Sequence, residues 1–239
     1  MRKRLFFDIE TAPMIVLSWG VGKVYLTHNN IIQPGAIICI GYKWAGEKKV
    51  RLLQWDREQT DKSMLEEFVP ILHEADEICG HNGDRFDIPW VRTRCLYHRI
   101  PMMPGLVTID TLKLARFYFR FPSNRLDAIS QFMNHGEKIK TDYELWKAVL
   151  RDDPKALARM GRYCKHDVNL LEEAQEVMDP YVPARSHIGH GICPGCGSEN
   201  MTESKHRMTA AGYHKVQLQC RDCGKYHTIP RSKLGKAVA

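Results

Sequence analysis

The apolar residues of this 239-residue chain fall into two kinds of segment. Short runs dense in aliphatic and aromatic residues predict strands, at residues 4–9, 36–44, 48–55 and 77–80, and either a short strand or the start of a helix at residues 107–110. Longer segments with apolar residues three and four positions apart predict helices, at residues 61–74, 87–97, 112–119, 123–133 and 154–178. Strands interspersed with helices in this way are typical of an α/β domain, in which helices cover a β-sheet.

Two interruptions of this pattern divide the chain. Residues 12–34 have no regular period and contain Trp19, Tyr25 and several glycines, so we expect an irregular insertion there. Pro180 and Pro183 follow the last long helix, and prolines are typical of the segment after a helix end. We therefore predict a first domain at residues 1–180, a linker at residues 181–190 and a small second domain at residues 191–239.

Acidic residues stand at two of the predicted strand ends. Asp8 and Glu10 interrupt the first apolar strand, and because alternate residues of a strand share a face, both side chains point the same way. Asn82 and Asp87 lie where the strand at residues 77–80 gives way to a helix. Each motif alone is common in proteins, and the information lies in their order along one fold.

The last long helix carries the remaining candidate groups. Tyr163 and Asp167 stand four residues apart, which places one above the other on a single helix face. Asp167 is the fourth acid, after Asp8, Glu10 and Asp87. Four carboxylates that converge on one site are suited to two Mg²⁺ or Mn²⁺ ions, since these hard cations prefer oxygen ligands. Two such ions beside a phosphodiester support its hydrolysis.

The three motifs, in this order, resemble those of the DEDD, or DnaQ-like, superfamily of 3′–5′ exonucleases. The first motif of that superfamily, Asp-x-Glu, is matched by Asp8 and Glu10. The second motif, an Asn followed by an aromatic residue and an Asp, is matched by Asn82, Phe86 and Asp87. The resemblance covers residues 1–180 and implies a ribonuclease H-like fold, a mixed β-sheet flanked by helices.

The third motif distinguishes two branches of this superfamily. One branch has His five residues before the last Asp, and the other has Tyr four residues before it. Position 162 is Arg and position 163 is Tyr, so the chain resembles the tyrosine branch, which is also seen in the proofreading domains of family-B polymerases. The sequences at residues 8–13, 43–44 and 145–146 further resemble stand-alone exonucleases of bacteriophages and prophages.

The resemblance implies a function for individual residues. These are the Mg²⁺ or Mn²⁺ ligands Asp8, Glu10, Asp87 and Asp167, the water-orienting Tyr163, and the substrate-binding Thr11, Asn82 and Lys140. The expected activity is 3′–5′ exonucleolytic hydrolysis of single-stranded DNA ends with two catalytic ions. An RNA-trimming or structure-selective nuclease on the same fold remains an alternative, as does a non-catalytic nucleic-acid adaptor, although an adaptor would be expected to lose the acids first. No motif identifies a protein partner.

The net charge of +7 is concentrated in the last quarter of the chain. Residues 1–180 contain 26 Lys and Arg against 25 Asp and Glu, a difference of +1, whereas residues 181–239 contain 9 against 3, a difference of +6. Basic surfaces attract a phosphate backbone whatever its base sequence. We therefore expect the second domain to bind nucleic acid, although a basic tail that only aids solubility has the same composition.

Two Cys-x-x-Cys motifs lie in this basic segment. Cys193 and Cys196 form the first pair, Cys220 and Cys223 form the second, and 23 residues separate the pairs. Such spacing is typical of a zinc ribbon, in which four thiolates hold one structural Zn²⁺ ion in a tetrahedron. Two redox-active cysteine pairs are the alternative, but matched glycines after both pairs favour one metal ion.

The remaining features predict the environment of the protein and one further contact. The other four cysteines are scattered through apolar segments and are expected to be reduced core residues. No apolar run reaches the length of a membrane span, so we expect a cytoplasmic protein, in the host cytoplasm if it is phage-encoded. The segment at residues 116–121 interleaves Arg and aromatic residues, a pattern that occurs both in base-stacking surfaces and in half-buried helix faces.

Overall fold

The computed structural model describes residues 3–134, 141–182, 193, 196, 198–210 and 212–231. They form two compact units, Met1–Glu176 and Val177–Ala239. The strands of the first unit are β1 (Arg4–Thr11), β2 (Ile15–Val16), β3 (Ile31–Gln33), β4 (Ile37–Trp44), β5 (Arg51–Gln54), β6 (Glu77–Gly80) and β7 (Thr108–Asp110). The α-helices are α1 (Lys62–Glu74), α2 (Asp87–His98), α3 (Thr111–Tyr118), α4 (Leu126–Phe132), α5 (Tyr143–Leu150) and α6 (Pro154–Met178). Short 3₁₀ helices span His28–Asn30 and Asp179–Tyr181.

Five strands form a mixed sheet in the order β5-β4-β1-β6-β7. The strand β4 runs antiparallel to both β1 and β5, whereas β6 runs parallel to β1 and to β7. The strand β1 is therefore central, with a hydrogen-bonded neighbour on each side. This arrangement confirms the predicted α/β class with a mixed sheet and flanking helices.

The two faces of β1 pack against different helices. Leu5, Phe7 and Ile9 enter an apolar cluster with residues of α1 and α2. A second cluster joins Ile38 and Cys39 of β4 to residues of α5 and α6. Because Glu10 is paired with Cys39 across the sheet, the acids Asp8 and Glu10 lie on the α6 side. The strand alternation read from the sequence is thus present in the structure.

Differences from the sequence-based boundaries occur mainly at the sheet edge and in the insertion. The strand expected at residues 48–55 is only Arg51–Gln54, since β5 is an edge strand that pairs with β4 alone. The insertion expected to be irregular contains the small antiparallel pair β2 and β3. The helix expected from residue 123 begins at Leu126, whereas the last long helix, α6, has the predicted bounds.

A buried charged group anchors the start of α1. Asp61 has no exposed surface and accepts hydrogen bonds from Arg94 Nε at 2.7 Å, from Arg94 Nη2 at 2.9 Å and from Ile37 N–H at 2.9 Å, while His98 Nε2 lies 2.6 Å from it. Burial alone would raise the pKa of Asp61, but the hydrogen bonds from Arg94, Ile37 and His98 hold that pKa below its ordinary value. The network joins α1, α2 and the start of β4.

The second unit contains an antiparallel sheet of three strands. They are β8 (Met201–Met208), β9 (His214–Cys220) and β10 (Tyr226–Pro230), in the order β10-β9-β8. One face of this sheet supplies Val216, Leu218 and Ile229 to a small core that also contains Cys193 and Cys220. Among the residues described, no helix combines the length and hydrophobicity needed to cross a lipid bilayer.

The buried Asp61 network generates a stability prediction. Arg94→Ala leaves the Asp61 carboxylate without its bidentate partner, and we expect the free energy of unfolding to fall by about 3–5 kcal/mol. Lys62→Ala, which removes an exposed cation one residue from Asp61, should change it by less than about 1 kcal/mol. Urea unfolding followed by tryptophan fluorescence measures both, because all five tryptophans lie in the first unit. Equal effects of the two substitutions would contradict a stabilising role for the buried pair.

Candidate active site

Three of the four predicted acids meet on the α6 side of the sheet. Asp8 and Glu10 extend from β1 and Asp167 extends from α6, and one carboxylate oxygen of each lies within 4.8 Å of the others. Carboxylates this close repel one another when ionised, and a bound divalent cation offsets that repulsion. The donor set consists of oxygens only, so it fits Mg²⁺ or Mn²⁺ better than a softer metal ion.

The approach of α6 to the sheet depends on small residues. A Cβ on Gly41, the partner of Asp8 on β4, would lie 3.0 Å from Cys164 Sγ and 3.1 Å from Val168 Cγ2. Cys164 Sγ also accepts a hydrogen bond from Gly41 N–H at 3.1 Å and donates one to the Asp8 carbonyl oxygen at 3.4 Å. The helix that carries Asp167 is therefore hydrogen-bonded directly to the backbone at Asp8.

Asp87 lies next to this group of three but is not part of it. Asp87 is 3% exposed, and its Oδ1 accepts a hydrogen bond at 3.1 Å from the N–H of Ile9, which lies between Asp8 and Glu10. Burial raises the pKa of Asp87 to about 7, against the hydrogen bond from Ile9, which lowers it. The structure thus places the fourth acid against the strand that carries the first two, with one oxygen engaged by the backbone.

A tight turn before α2 positions Asn82 and Asp87. Asn82 has a positive φ of 65°, and its backbone N–H donates to Asp110 Oδ1 at 3.0 Å. Gly80 and Gly83 pack closely across the turn, since a Cβ on Gly80 would lie 3.2 Å from the Cα of Gly83. The buried Asp110 carboxylate also accepts hydrogen bonds from backbone N–H groups at the start of α3. The Asp110 side chain therefore connects this turn to the N-terminus of α3.

A cavity of about 450 Å³ opens beside the acids. It is lined by Asp8, His81, Asn82, Leu112, Arg116, Asn124, Arg125, Leu126, Asp127 and Asp167. The ring of His81 is held from two sides, by Thr111 Oγ1 at 2.8 Å and by the Asn124 carbonyl oxygen at 3.0 Å. The lining thus combines the carboxylates of Asp8 and Asp167 with two arginines, Arg116 and Arg125, which suits a ligand that carries phosphate and a polar ring.

The other predicted site residues have different positions. Tyr163 is 7% exposed and belongs to the apolar cluster under α6, one helical turn before Asp167. Thr11 ends β1 next to the acids, and its carbonyl oxygen accepts a hydrogen bond from Trp146 Nε1 at 3.0 Å. Asn82 lines the cavity. Lys140 lies outside the described residues.

Sequence reasoning missed several residues of this site. His81, Asn124, Arg125 and Asp127 carry no spacing signal, because they come from two segments that only the fold brings together. Arg116, whose segment had two possible interpretations, lines the cavity, while the neighbouring Phe117 is exposed. The sequence predicted Cys164 only as a core residue. Its contact with Gly41 depends on how α6 packs against β4, which cannot be read from the sequence.

In the second unit, the four motif cysteines come together. All four sulfurs lie within 4.8 Å of one another, with 3.5 Å between Cys193 Sγ and Cys223 Sγ and 3.6 Å between Cys196 Sγ and Cys220 Sγ. A tetrahedral Zn²⁺ site with Zn–S bonds of about 2.3 Å has sulfurs about 3.8 Å apart. A hydrogen bond from the Cys223 backbone N–H lowers the pKa of Cys220 to about 7, which favours the thiolate. The arrangement fits a single structural Zn²⁺ ion.

A family model of the RNase H superfamily matches residues 5–178 of the chain. The matched segment contains the five-stranded sheet, the four predicted acids and Tyr163. The second unit lies almost entirely outside it.

The chain is also similar to DNA polymerases. The chain is 22% identical over 223 residues to a DNA polymerase of Red sea bream iridovirus, covering 73% of this chain and 23% of the polymerase. It is 24% identical over 125 residues to the DNA polymerase catalytic subunit of Elephantid herpesvirus 1, covering 40% and 12%. The solved family B DNA polymerase of the archaeon Pyrobaculum calidifontis matches with a TM-score of 0.58 and 16% identity, over 75% of this chain and 25% of that one. The chain therefore spans a quarter or less of these relatives.

The raised pKa of Asp87 predicts how the metal-free protein responds to pH. The folded-state pKa, about 7, lies above the unfolded value of about 3.9, so folding disfavours the ionised form. The resulting decrease in the free energy of unfolding is absent below about pH 4, grows as the pH rises towards 7 and is complete above pH 7. In EDTA, Asp87→Asn should raise the free energy of unfolding relative to the original chain by up to about 4 kcal/mol at pH 8 and by less at pH 5.

Urea titrations of both proteins at several pH values, followed by tryptophan fluorescence, measure this difference. Glu58→Gln, which changes an exposed acid of the same unit, is the control and should change the free energy of unfolding by less than about 0.5 kcal/mol at both pH values. A difference between Asp87→Asn and the original chain that is the same at pH 5 and pH 8 would contradict the raised pKa.

Proposed function

Because the chain belongs to the RNase H superfamily, we propose that it is a nuclease that hydrolyses phosphodiester bonds with two divalent cations. The observation that carries this proposal is the group of carboxylates from Asp8, Glu10 and Asp167 beside a cavity that also contains arginines. Similarity to two viral DNA polymerases supports nucleic acid as the substrate.

Each group of the site has a role in this reaction. Asp8, Glu10 and Asp167 would hold divalent cations, with Asp87 completing the set when its proton is released. Such cations supply Lewis-acid stabilisation of the charge that develops on phosphate. Tyr163, one turn before Asp167 on the same helix face, would orient the attacking water through its hydroxyl. Thr11 and Asn82 would hold the terminal nucleotide, and Lys140 would neutralise the scissile phosphate.

The dimensions of the cavity favour attack on chain ends. A volume of about 450 Å³ is at the lower end of small-ligand pockets and holds one nucleotide rather than a duplex. A terminal nucleotide in this cavity would bring its phosphodiester to Asp8 and Asp167, which line it. We therefore propose a 3′–5′ exonuclease that acts on single-stranded DNA ends. We propose that the protein works in the cytoplasm, where a reducing environment keeps buried thiols such as those of Cys39, Cys79, Cys95 and Cys164 unoxidised.

We propose that the second unit is a zinc ribbon that binds the nucleic acid. Residues paired across antiparallel strands share a face, so the register places Lys205, Arg207 and Lys215 on one face of the sheet, opposite the apolar core. Gln217, Gln219 and Tyr226 share that face, which we call the basic face. Glu203 is paired with Leu218 and lies on the other side. The three described strands therefore present cations, amides and an aromatic ring without an acid.

Loss of single acids tests the catalytic proposal. Asp8→Asn and Asp167→Asn should each reduce the cleavage rate of 5′-labelled single-stranded DNA in Mg²⁺ by at least about a hundredfold, because too few charged ligands remain. Tyr163→Phe removes one hydroxyl but no ligand, so we expect a smaller loss in kcat, of about a hundredfold at most, with metal affinity unchanged. Gel analysis of the products, with Mn²⁺ titration by calorimetry, measures these quantities.

Glu66→Gln, on α1 against the opposite side of the sheet, is the matched control and should retain full activity. An Asp8→Asn or Asp167→Asn enzyme that keeps a tenth of the original rate would show that the reaction occurs elsewhere. Parallel RNA and duplex substrates determine whether the alternative RNA-trimming or structure-selective activity applies.

Neutralisation of the basic face tests the role of the second unit. Replacement of Lys205, Arg207 and Lys215 by Gln should weaken binding of single-stranded DNA and reduce the log–log salt slope by about 0.7 for each phosphate that is no longer neutralised. The same change of charge at Lys48, Lys49 and Lys62, exposed lysines of the first unit, should alter the slope less. One zinc per chain, measured by mass spectrometry, should persist in both triple variants. Equal salt slopes for the two would contradict a specific role for the basic face.

A further inference from the structure

Residues 12–34, which we call the arm, project between β1 and β4. Ile15 pairs with Gln33 in the short β2–β3 hairpin. Leu17 and Asn30 then join the two limbs, since Leu17 N–H donates to the Asn30 carbonyl oxygen at 2.8 Å and Asn30 Nδ2 donates to the Leu17 carbonyl oxygen at 3.2 Å. The base of the arm is therefore structured, and its tip lies beyond Leu17.

The tip of the arm exposes large apolar side chains to solvent. Trp19, Val21 and Tyr25 have relative exposures of 107%, 100% and 101%. A Cβ on Gly20 or on Gly22 would have no other heavy atom within 4 Å, so the tip stands clear of the described part of the protein. The other four tryptophans, all described, are at least partly buried. Exposed apolar groups concentrated in this way indicate a binding surface.

The root of the arm is fixed beside the acids. The arm begins two residues after Glu10, and Ala12 N–H donates to the Ala36 carbonyl oxygen at 2.8 Å, which closes the root. Trp90 of α2 packs against Gly35 so closely that a Cβ there would lie 2.7 Å from its ring. Trp90 in turn lies 6.3 Å, centroid to centroid, from Phe86, which precedes Asp87. Trp90 thus joins the helix that begins at Asp87 to the residue that follows the arm.

The charges of the arm identify the class of partner. The chain contains no Asp or Glu between Glu10 and Glu47, and Lys23 is the charged residue of the arm itself. An apolar surface for a protein partner tolerates acids at its rim, whereas a surface for a polyanion does not. Flat aromatic rings with a nearby cation are the elements that bind single-stranded nucleic acid without base selectivity.

We infer that the arm binds the single-stranded part of the substrate, with bases stacked on Trp19 and Tyr25 and a phosphate near Lys23. This inference rests on the proposed function, because the strand held by the arm is the one whose end occupies the cavity. The arm would hold bases that lie further along the strand from the terminal nucleotide. Binding there adds affinity for long substrates and contributes nothing to the cleavage of a substrate with one nucleoside.

Binding and cleavage measured on the full-length chain test the inference. In EDTA, the affinity for a fluorescein-labelled thymidine 15-mer, read by anisotropy, should fall about five- to 150-fold for Trp19→Ala and for Tyr25→Ala. Trp19→Phe should restore most of the affinity because it keeps a ring. Met14→Ala, which removes an exposed apolar side chain of the same arm but no ring, should bind like the original chain.

Hydrolysis of thymidine 5′-(p-nitrophenyl phosphate), a phosphodiester with one nucleoside, separates the arm from the acidic site. In Mn²⁺, Trp19→Ala and Tyr25→Ala should hydrolyse it at the original rate, while their kcat/KM for the 15-mer falls with the affinity. An original chain that cleaves neither substrate would overturn the proposed function, and the anisotropy result would still decide the role of the arm.

Two outcomes overturn the inference about the arm. One is an unchanged affinity of both alanine variants for the 15-mer. The other is that light scattering shows the original chain to be a dimer, while Trp19→Ala is a monomer that binds the 15-mer with unchanged affinity. The arm would then be a contact between two copies of the chain.

Discussion

The close contact between α6 and the central strands is the constraint on which the active site depends. Asp167 reaches the acids of β1 because Gly41 has no side chain where Cys164 and Val168 pack. Gly161 plays the same part further along the helix, where a Cβ would lie 2.5 Å from Leu52 Cδ2. Apolar packing on this side of the sheet offsets the mutual repulsion of carboxylates, so the acidic site is held together by groups that take no part in its chemistry.

Periodicity in the sequence accounts for the part of the site that lies on regular elements. Alternation along one strand placed Asp8 and Glu10 on one side, and helical spacing placed Tyr163 one turn from Asp167. That Asp87 completes the set as a fourth ligand stays a prediction, and its hydrogen bond from Ile9 N–H has no signal in the sequence, because that bond depends on the turn at Asn82. The cavity residues His81 and Arg125 could not be predicted, since loops and short helices bring them together through tertiary contacts that have no period.

In the proposed nuclease, the two units would contribute different interactions with the nucleic acid. The first unit is almost electrically neutral and concentrates acids at one point, where a polyanion approaches only if cations are present. The second unit carries most of the net charge and presents a face without acids in its described strands. Long-range attraction of the nucleic acid and hydrolysis of its phosphodiester bonds would therefore depend on different parts of the chain. The two would respond differently to salt and to divalent ions.

The thiol of Cys164 has a consequence for the dynamics of this protein. Its hydrogen bond with Cys39 and its burial raise the pKa of Cys164 well above the ordinary value, so the thiol is protonated and inert while α6 is seated. An alkylating reagent can react with it only when the helix lifts from the strand and the carboxylates separate. The rate of alkylation at this sulfur thus reports how often α6 opens locally and the carboxylates separate, and no label needs to be engineered into the protein.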